Sequence, residues 1–205
     1  MKKILIVTAC AFLLSCKSGA PVAKVDAGTL VLDKAHSKLT AIAMKNESKA
    51  VELHFPDIDG TLSLSPFKAR VNVSIDSLDT GDKTRDKNVK TLFFELAQSA
   101  MNGKASFELT KLEGDLASLK EGESFPMKGS GTLSLHGAQV ALSGPLNVMR
   151  MGGGSYRATF SSLWKVNIKD LGMLEPLANL NKNCPQPHRV GLDVALQGEL
   201  VYVKP

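Results

Sequence analysis

Histidines are the side chains best suited to acid–base or metal chemistry in this chain of 205 residues, but no catalytic motif joins them. They are His36, His54, His136 and His188. The sequence has no HExxH, GxSxG or CxxC segment, the patterns of zinc proteases, serine hydrolases and redox thiols. Ser65-Pro66-Phe67-Lys68 matches the SxxK spacing of penicilloyl-serine enzymes, yet the partner motifs SDN and KTG are missing. The sequence therefore predicts a protein that is not an enzyme.

Two groups of side chains have spacings that invite a metal. Cys184 and His188 are four residues apart, but a zinc site needs three or four donors and no other Cys or His lies nearby in sequence. The carboxylates between Asp76 and Asp86 lack the alternating oxygen ligands and the final Glu of a calcium-binding loop. We expect no metal and no cofactor, with Cys184 as a loop thiol.

Cys16 offers a different chemistry, which is covalent lipidation. Residues 1–3 are Met-Lys-Lys, and the apolar run from Ile4 to Leu14 is too short to span a bilayer, a combination typical of a signal peptide. Leu13-Leu14-Ser15-Cys16 resembles the lipobox of bacterial lipoproteins, in which the Cys thiol receives diacylglycerol and acyl chains such as palmitate follow. Cys10 fits the pattern less well, because it would leave too short an apolar run. The alternative is a plain secreted protein with an incidental Cys.

This interpretation sets the domain boundaries. We expect residues 1–15 to be a signal peptide that is removed, and residues 16–28 to be the lipidated Cys followed by a flexible tether of small and polar residues. Residues 29–205 then form one folded domain. Lys17 stands where an Asp commonly signals inner-membrane retention, which favours the outer membrane. Only Cys184 stays as a free thiol, so no internal disulfide is expected.

Composition excludes several classes of protein. Apolar residues make up 43% of the chain and charged residues 22%, which is typical of a soluble globular domain. Aromatic residues are only 5%, too few for the girdles of an outer-membrane barrel or a platform that stacks bases. The net charge of +5 is small, and it becomes smaller still when Lys2 and Lys3 are removed with the signal peptide. We therefore expect no nucleic-acid partner.

Alternation of apolar and polar residues dominates the folded domain. Val71, Val73 and Ile75, for example, alternate with polar neighbours, as expected for a strand with one buried face. About eight such segments are separated by short turn signals, and the first two are candidates for broken pairs. They lie near residues 29–44, 50–64, 69–78, 104–113, 127–136, 139–149, 155–169 and 189–203. Consecutive strands with short links predict an all-β antiparallel barrel.

Two segments have helical rather than strand periodicity. Residues 82–96 carry Val89, Leu92, Phe93 and Leu96 on one helix face, with an aspartate or Thr80 available as the N-cap. A shorter candidate runs from Met173 to Leu180, with leucines three residues apart. The sequence therefore predicts one or two short helices beside the barrel.

An eight-stranded barrel is either packed solid or holds one small apolar ligand. The predicted inner faces are mostly Val, Leu, Ile and Ala, so few large groups are available for a solid plug. This composition leans weakly towards a cavity. A packed core remains open at this point.

Several segments, in this order, resemble the YceI-like family. They are Asp33-Lys34-Ala35-His36-Ser37, Ser74-Ile75-Asp76-Ser77-Leu78-Asp79-Thr80-Gly81, Thr84-Arg85-Asp86, Phe93-Phe94, Ala105-Ser106-Phe107 and Gly131-Thr132-Leu133-Ser134-Leu135-His136-Gly137. The resemblance covers about residues 30–203. It implies a lipocalin-like antiparallel barrel, exported to the periplasm, that holds a polyisoprenoid chain in an elongated apolar cavity.

The resemblance also makes His36, Ser37, Arg85 and Asp86 candidates for the cavity mouth. In the alternative, Arg85 and Asp86 tie the helix to the barrel and His36 caps a strand end, while His136 is structural. The expected apolar contacts with the ligand are Val71, Val73, Ile75, Phe93, Phe94, Phe107, Leu133, Leu135, Val140, Leu142, Val148, Phe160, Val166, Val194 and Leu196.

The connection from Met173 to Arg189 is longer than the resemblance leads us to expect. Its leucines either cover a barrel mouth or pack against the outer wall, and we favour packing on the wall. Lys169-Asp170-Leu171-Gly172, just before it, lacks the Arg that the family often has there.

The sequence predicts a non-catalytic carrier or store for an isoprenoid lipid such as a quinone or a polyprenyl phosphate. The acyl chains on Cys16 hold it to a membrane, and a homodimer is one expected assembly. The alternative is an envelope lipoprotein with a packed core that acts as a structural or protein-interaction module.

Overall fold

The structure is a computed structural model that describes residues 28–184 and 189–205. The predicted signal peptide, Cys16, the tether up to residue 27, and His188 lie outside the described residues. The first strand begins at Leu30, close to the predicted start of the folded domain.

Eleven antiparallel strand segments form one sheet. They are β1 (Leu30–Leu32), β2 (Lys38–Lys45), β3 (Lys49–His54), β4 (Ile58–Leu64), β5 (Phe67–Ser74), β6 (Lys104–Glu113), β7 (Ser124–Leu135), β8 (Ala138–Arg150), β9 (Tyr156–Phe160), β10 (Trp164–Asn167) and β11 (Val190–Val203).

The eleven segments occupy eight positions around a closed barrel. β1 and β2 follow one another along β11, β3 and β4 lie beside them, and β9 and β10 share the other side of β11. The prediction of an all-β antiparallel barrel of about eight strands is confirmed, as are the breaks in the first two strands. The break in the predicted strand 155–169 was not expected, and it falls at residues 161–163.

Local sequence explains the tight hairpin between β7 and β8. His136 and Gly137 connect β7 to β8 and both have positive φ, 53° and 79°. Two positive φ angles define the hairpin turn whose twist matches the strands it joins. Gly suits the second position because it has no Cβ to clash there.

Two helices lie over one end of the barrel. α1 (Lys83–Asn88) continues into a wider turn over residues 89–93, and α2 (Leu174–Asn183) packs against that turn. Asp82 is the N-cap of α1, because its carboxylate accepts hydrogen bonds from the backbone N–H groups of Thr84 and Arg85, both at 3.0 Å. Both predicted helices are confirmed, although the first ends at Phe93 rather than residue 96. In the described part of the chain, no helix is long and apolar enough to cross a membrane.

The other end of the barrel is filled by side chains. We call this end the packed half, and its buried residues include Leu109, Met127, Leu146, Tyr156 and Tyr202. Burial raises the pKa of the Tyr202 phenol, which keeps its hydroxyl uncharged over the whole physiological range.

Candidate ligand-binding cavity

The end of the barrel beneath the helices contains a cavity of about 420 Å³. We call this end the open half. Pockets that hold small molecules span roughly 300–1,000 Å³, and an apolar cavity of about 150 Å³ already binds one benzene. The cavity is therefore large enough for a chain-like ligand of several branched units.

Most of the predicted contact residues line this cavity. They come from strands on all sides of the barrel and from the wide turn after α1: Val71, Val73, Ile75, Phe93, Phe107, Leu133, Leu135, Leu142, Phe160, Val166, Val194 and Leu196.

Three predicted contacts lie elsewhere. Val148 shares the inward face of β8 with Leu142, but it belongs to the packed half, where it is buried opposite Ala158 of β9. Phe94 is buried behind Phe93, with the two rings edge to face at 4.9 Å. Val140 is half-buried near the hairpin end of β8 and does not line the cavity. These three residues support the wall instead of forming its surface.

The cavity ends on the indole of Trp164. This side chain is only 2% exposed, lines the cavity and stands between it and the packed half. Phe160 stacks on it at 4.8 Å, and Phe107 meets it edge to face at 5.7 Å. Three rings therefore close the lumen at this level.

The two helices form a lid over the open half, comprising α1, the turn over residues 89–93 and α2. Val89 and Phe93 of the turn and Leu177 and Leu180 of α2 all line the cavity from above. Our expectation that the leucines after Met173 pack against the outer wall is wrong for Leu177 and Leu180, because α2 lies across the barrel end.

We call most of the polar residues that line the cavity the polar rim. It consists of Lys45 at the end of β2 together with Thr80, Asp82, Thr84, Arg85 and Asn88 before and within α1. The Arg85 guanidinium lies 3.6 Å from the Asp82 carboxylate and 3.4 Å from the Thr80 carbonyl oxygen, to which it donates. Its side chain keeps 39% of its surface exposed, so its remaining donors face solvent and the cavity rim. Most of the polar lining residues therefore belong to this rim, and Ser106 of β6 lines the cavity as well.

Asp86, also expected at the mouth, lies behind the cavity wall. Its carboxylate is buried and accepts hydrogen bonds from Thr80, from the backbone N–H at 2.8 Å and from the hydroxyl at 2.7 Å. Burial raises the pKa of Asp86, but the Thr80 hydrogen bonds and the charges of Lys83 and Lys90 outweigh it, so the pKa lies below its usual value. Asp86 thus ties α1 to the segment before it.

His36 and Ser37 also lie away from the cavity. The His36 Nδ1 is 2.7 Å from the Asp33 carboxylate in an exposed turn between β1 and β2. The Ser37 hydroxyl is buried and accepts a hydrogen bond from the Val201 backbone N–H at 2.9 Å. Both residues lie at the break between β1 and β2, where the Ser37 hydroxyl and the Asp33 backbone N–H bond to Val201 of β11.

His136 anchors the lid from its other side. Its Nε2 is 3.2 Å from the Glu95 carboxylate, and both side chains are largely buried. Glu95 follows the wide turn directly, so this contact joins the lid to the β7–β8 hairpin. His136 lies outside the cavity lining, a position consistent with the structural role expected of it.

The main contacts that sequence reasoning missed belong to β2, β3 and the segment that follows β3. They are Leu39, Ala41, Ala43, Val51, Leu53 and Phe55. All six sit at alternate positions, so the period-two signal that identified the other strands was present here too.

The cavity wall has no concentrated acid–base apparatus. Within residues 28–184 and 189–205, no three His, Cys, Asp or Glu side chains converge on a position for a metal ion. Cys184 lines the cavity near α2, and no other cysteine lies in the described part of the chain. This arrangement can surround an apolar group and can offer polar partners at the rim.

Known proteins share this architecture. The chain is 29% identical over 152 residues to a UPF0312 protein of Serratia proteamaculans, covering 70% of this chain and 71% of that protein. A polyisoprenoid-binding domain of Saccharophagus degradans superposes with a TM-score of 0.74 at 22% identity, over 87% of this chain and 99% of that one. BcnA of Burkholderia cenocepacia gives a TM-score of 0.61 at 15% identity, over 83% and 98% respectively.

The two solved structures establish the fold, and the sequence establishes the family. The profile of the YceI-like domain matches residues 30–202, which is nearly the whole barrel. The chain therefore belongs to the YceI-like family.

Proposed function

We propose that this protein binds an isoprenoid lipid, of the quinone or polyprenyl phosphate type, inside the open half of its barrel and stores or transports it without chemical change. The observation that carries the proposal is the cavity of about 420 Å³, walled mostly by aliphatic and aromatic side chains, with most of its polar lining residues before and within α1. The Saccharophagus degradans domain with the same fold, described as polyisoprenoid-binding, supports this choice of ligand.

Burial in the cavity would give an apolar chain a favourable transfer free energy from water. Burying one CH₂ group is worth about 0.8 kcal/mol, so a five-carbon unit drawn from water gains roughly 3–4 kcal/mol before other terms. A chain drawn from a bilayer gains far less, because it leaves one apolar environment for another. Uptake and release are therefore close to balanced, which suits a carrier.

The polar rim accounts for the other end of such a lipid. Arg85 and Lys45 supply positive charge beside the cavity, Asp82 places one carboxylate next to Arg85, and Thr80, Thr84 and Asn88 supply neutral hydrogen-bonding groups. A phosphate or a quinone ring held there would keep its polar atoms hydrated while its tail lies inside. Binding, and not catalysis, is the activity that such a distribution supports.

The cellular setting is part of the proposal. Acyl chains on Cys16 would hold the barrel at a membrane facing the periplasm, with the outer membrane favoured by Lys17. Two or three acyl chains anchor a protein stably, whereas one does not. A tether of that kind would keep the cavity beside the bilayer that supplies its ligand, and two barrels could pair as a homodimer.

The alternative, a barrel with a packed core that serves as an interaction module, requires large side chains to meet along the barrel axis. They do so in the packed half, around Trp164 and Tyr202, but the open half holds the cavity instead. We therefore do not adopt the alternative.

Native mass spectrometry tests the proposal. The soluble protein from Lys17 onward, produced in the exported compartment and then extracted with solvent, should carry an isoprenoid lipid at one copy per chain or per dimer. Ala43 of β2 faces the cavity, so Ala43→Phe should lower the bound fraction strongly. Ala141→Phe on the outer face of β8 is the matched control and should leave it unchanged. A wild-type protein that stays free of lipid when quinones and polyprenyl lipids are offered would overturn the proposal.

A further inference from the structure

Trp164 lies at the boundary between the cavity and the packed half. Beyond its level on β2 and β11, which Ala41 and Leu196 mark, Leu39 and Leu200 still line the cavity, whereas Tyr202 does not. Leu109, Met127 and Leu146, which fill the packed half, are all buried and all lie outside the cavity lining. The indole is therefore the surface that an inserted chain meets at its far end.

Two other rings complete this surface. Phe107 belongs to β6 and Trp164 to β10, which are three positions apart around the barrel, so their edge-to-face contact at 5.7 Å crosses the lumen. Phe160 stacks nearly parallel to the indole, at an interplanar angle of 22°. Together the rings form a continuous apolar surface across the barrel.

The position of the indole is fixed by its neighbours. Its N–H donates to the Pro145 carbonyl oxygen at 3.2 Å. Gly144 and Gly129 lie against the ring without a Cβ, and a Cβ at Gly144 would come within 2.2 Å of the indole nitrogen. The ring fits only because both strands leave room for it, and it has no space to turn further into the wall. A ring held this way resists displacement by a ligand.

The chemistry of the surface also sets the direction of the ligand. The only polar atom of the indole is committed to Pro145, so the side that faces the cavity offers carbon alone. Polar partners lie at the opposite edge of the cavity, at Arg85 and Lys45. A lipid that satisfies both ends enters with its tail towards Trp164.

We propose that Trp164 is the floor of the lipid cavity, that the tail end of the bound chain rests on it, and that its size sets the longest chain the cavity encloses. This inference rests on the proposed function, since it assigns the end-point of a chain bound in the same cavity.

The fluorescence of Trp164 tests the position of the tail directly, because the chain contains a single tryptophan. Prenyl alcohols carrying bromine either on the terminal isoprene unit or on the unit beside the hydroxyl are bound to the wild-type protein, and occupancy is measured by native mass spectrometry. Bromine on the terminal unit should quench several-fold more strongly at equal occupancy. Equal or reversed quenching would overturn the floor assignment alone. No bound prenyl alcohol at all would overturn the proposed function and this inference with it.

A length series tests the size limit. Ala41 lines the cavity and pairs with Leu196, which also pairs with Trp164, so it lies at the level of the floor. Trp164→Leu should lower the floor and extend the longest well-bound prenyl alcohol by about one isoprene unit, while Ala41→Phe should raise the floor and shorten it. Each CH₂ that gains or loses burial should change affinity about fourfold.

The controls keep this test decisive. Ala141→Phe, which adds the same ring on the outer face, should keep the wild-type length preference. If Trp164→Leu fails to fold, Ala41→Phe still gives the answer, because it fills the cavity without removing a core side chain. An unchanged length preference in Ala41→Phe, with binding retained, would refute the role of the floor.

Discussion

The open and packed halves are built from the same strands with the same alternation, yet one is hollow and the other solid. The open half presents Ala41, Ala43 and Ala105 towards the lumen, whereas the packed half presents Tyr156 and Tyr202. Alternation decides which face of a strand points inward, and the volume of the inward side chains decides whether the lumen is filled. The same eight strand positions thus enclose a cavity at one end of the barrel and a packed core at the other.

The two halves also close differently. The packed half is closed by its own core, and the open half is closed by the lid, which packs over the cavity and makes several polar contacts. Asp86 bonds to Thr80, the Asp82 carboxylate caps α1, and Glu95 meets His136. The cavity is therefore closed by a separate element, whereas the packed half is closed by the barrel's own side chains.

Two leucines of β8 give the sharpest test of this comparison. Leu146 lies in the packed half and Leu142 lines the cavity, and both are at least nine-tenths buried. Leu146→Ala should cost about 2–5 kcal/mol, because it opens a new void among packed neighbours. Leu142→Ala should cost clearly less, since its side chain already borders empty space. Urea unfolding of the two lipid-free variants measures both.

Equal costs for the two leucines would mean that the hollow and solid halves do not differ in packing. The slope of the unfolding free energy against urea should stay constant in both variants, which confirms that the same surface is exposed on unfolding.

The next largest effect concerns the boundary between the halves. Gly144→Ala would place a Cβ about 2.2 Å from the Trp164 indole nitrogen, so the ring must shift and the variant should lose about 1–3 kcal/mol. Gly103→Ala is the matched control, because a Cβ there meets no atom within 4 Å and should change stability little. Thermal unfolding with the tryptophan emission spectrum as a second readout checks the result. A stable Gly144→Ala variant with an unshifted spectrum would show that the floor is not tightly held.

The comparison of the two halves also shows how much of the cavity can be predicted from the sequence. Period two identified the inward faces, so Val71, Leu133 and Leu142 were correctly placed towards the lumen. Period two carries no information about height along the barrel axis, which is why Val148 shares a face with Leu142 but belongs to the packed half.

The lid shows a second limit. The spacing of Leu177 and Leu180 predicts an apolar helix face but does not say what that face covers, and only the fold places it over the cavity. His36 shows a third limit. The motif identifies this residue in the sequence but does not say whether its side chain faces the cavity. Its turn lies between two strand segments that sequence treats as one.

A smaller effect should appear when the lid is loosened without touching either half of the barrel. Asp86→Ala removes the acceptor of two Thr80 hydrogen bonds and should cost about 1–2 kcal/mol near pH 7. Hydrogen exchange should speed up in α1 and the turn over residues 89–93, and stay unchanged in the packed half. Asp170→Ala, which removes an exposed carboxylate, is the control for loss of charge.

The pH dependence of this variant has a defined sign. The pKa of Asp86 is lowered in the folded protein, so its contribution is fully present above the unfolded value of about 3.9 and is lost as the pH falls through the lower folded value. The difference between wild type and Asp86→Ala should therefore be constant near neutrality and shrink only below about pH 4. A difference that persists unchanged in strong acid would mean that Asp86 acts through packing and not through its charge.

The smallest expected effect has the opposite sign and separates stability from binding. Ala43→Phe places a ring in the empty space of the open half, and filling a cavity of this kind typically adds about 0.5–1.5 kcal/mol to the stability of the lipid-free protein. The same ring occupies the volume that a lipid tail needs, so the variant should gain stability as it loses ligand. Ala141→Phe on the outer face should change neither quantity. If Ala43→Phe were destabilised like an overpacked core variant, the open half would already be filled at that level, and the difference between the halves would lie in the lid alone.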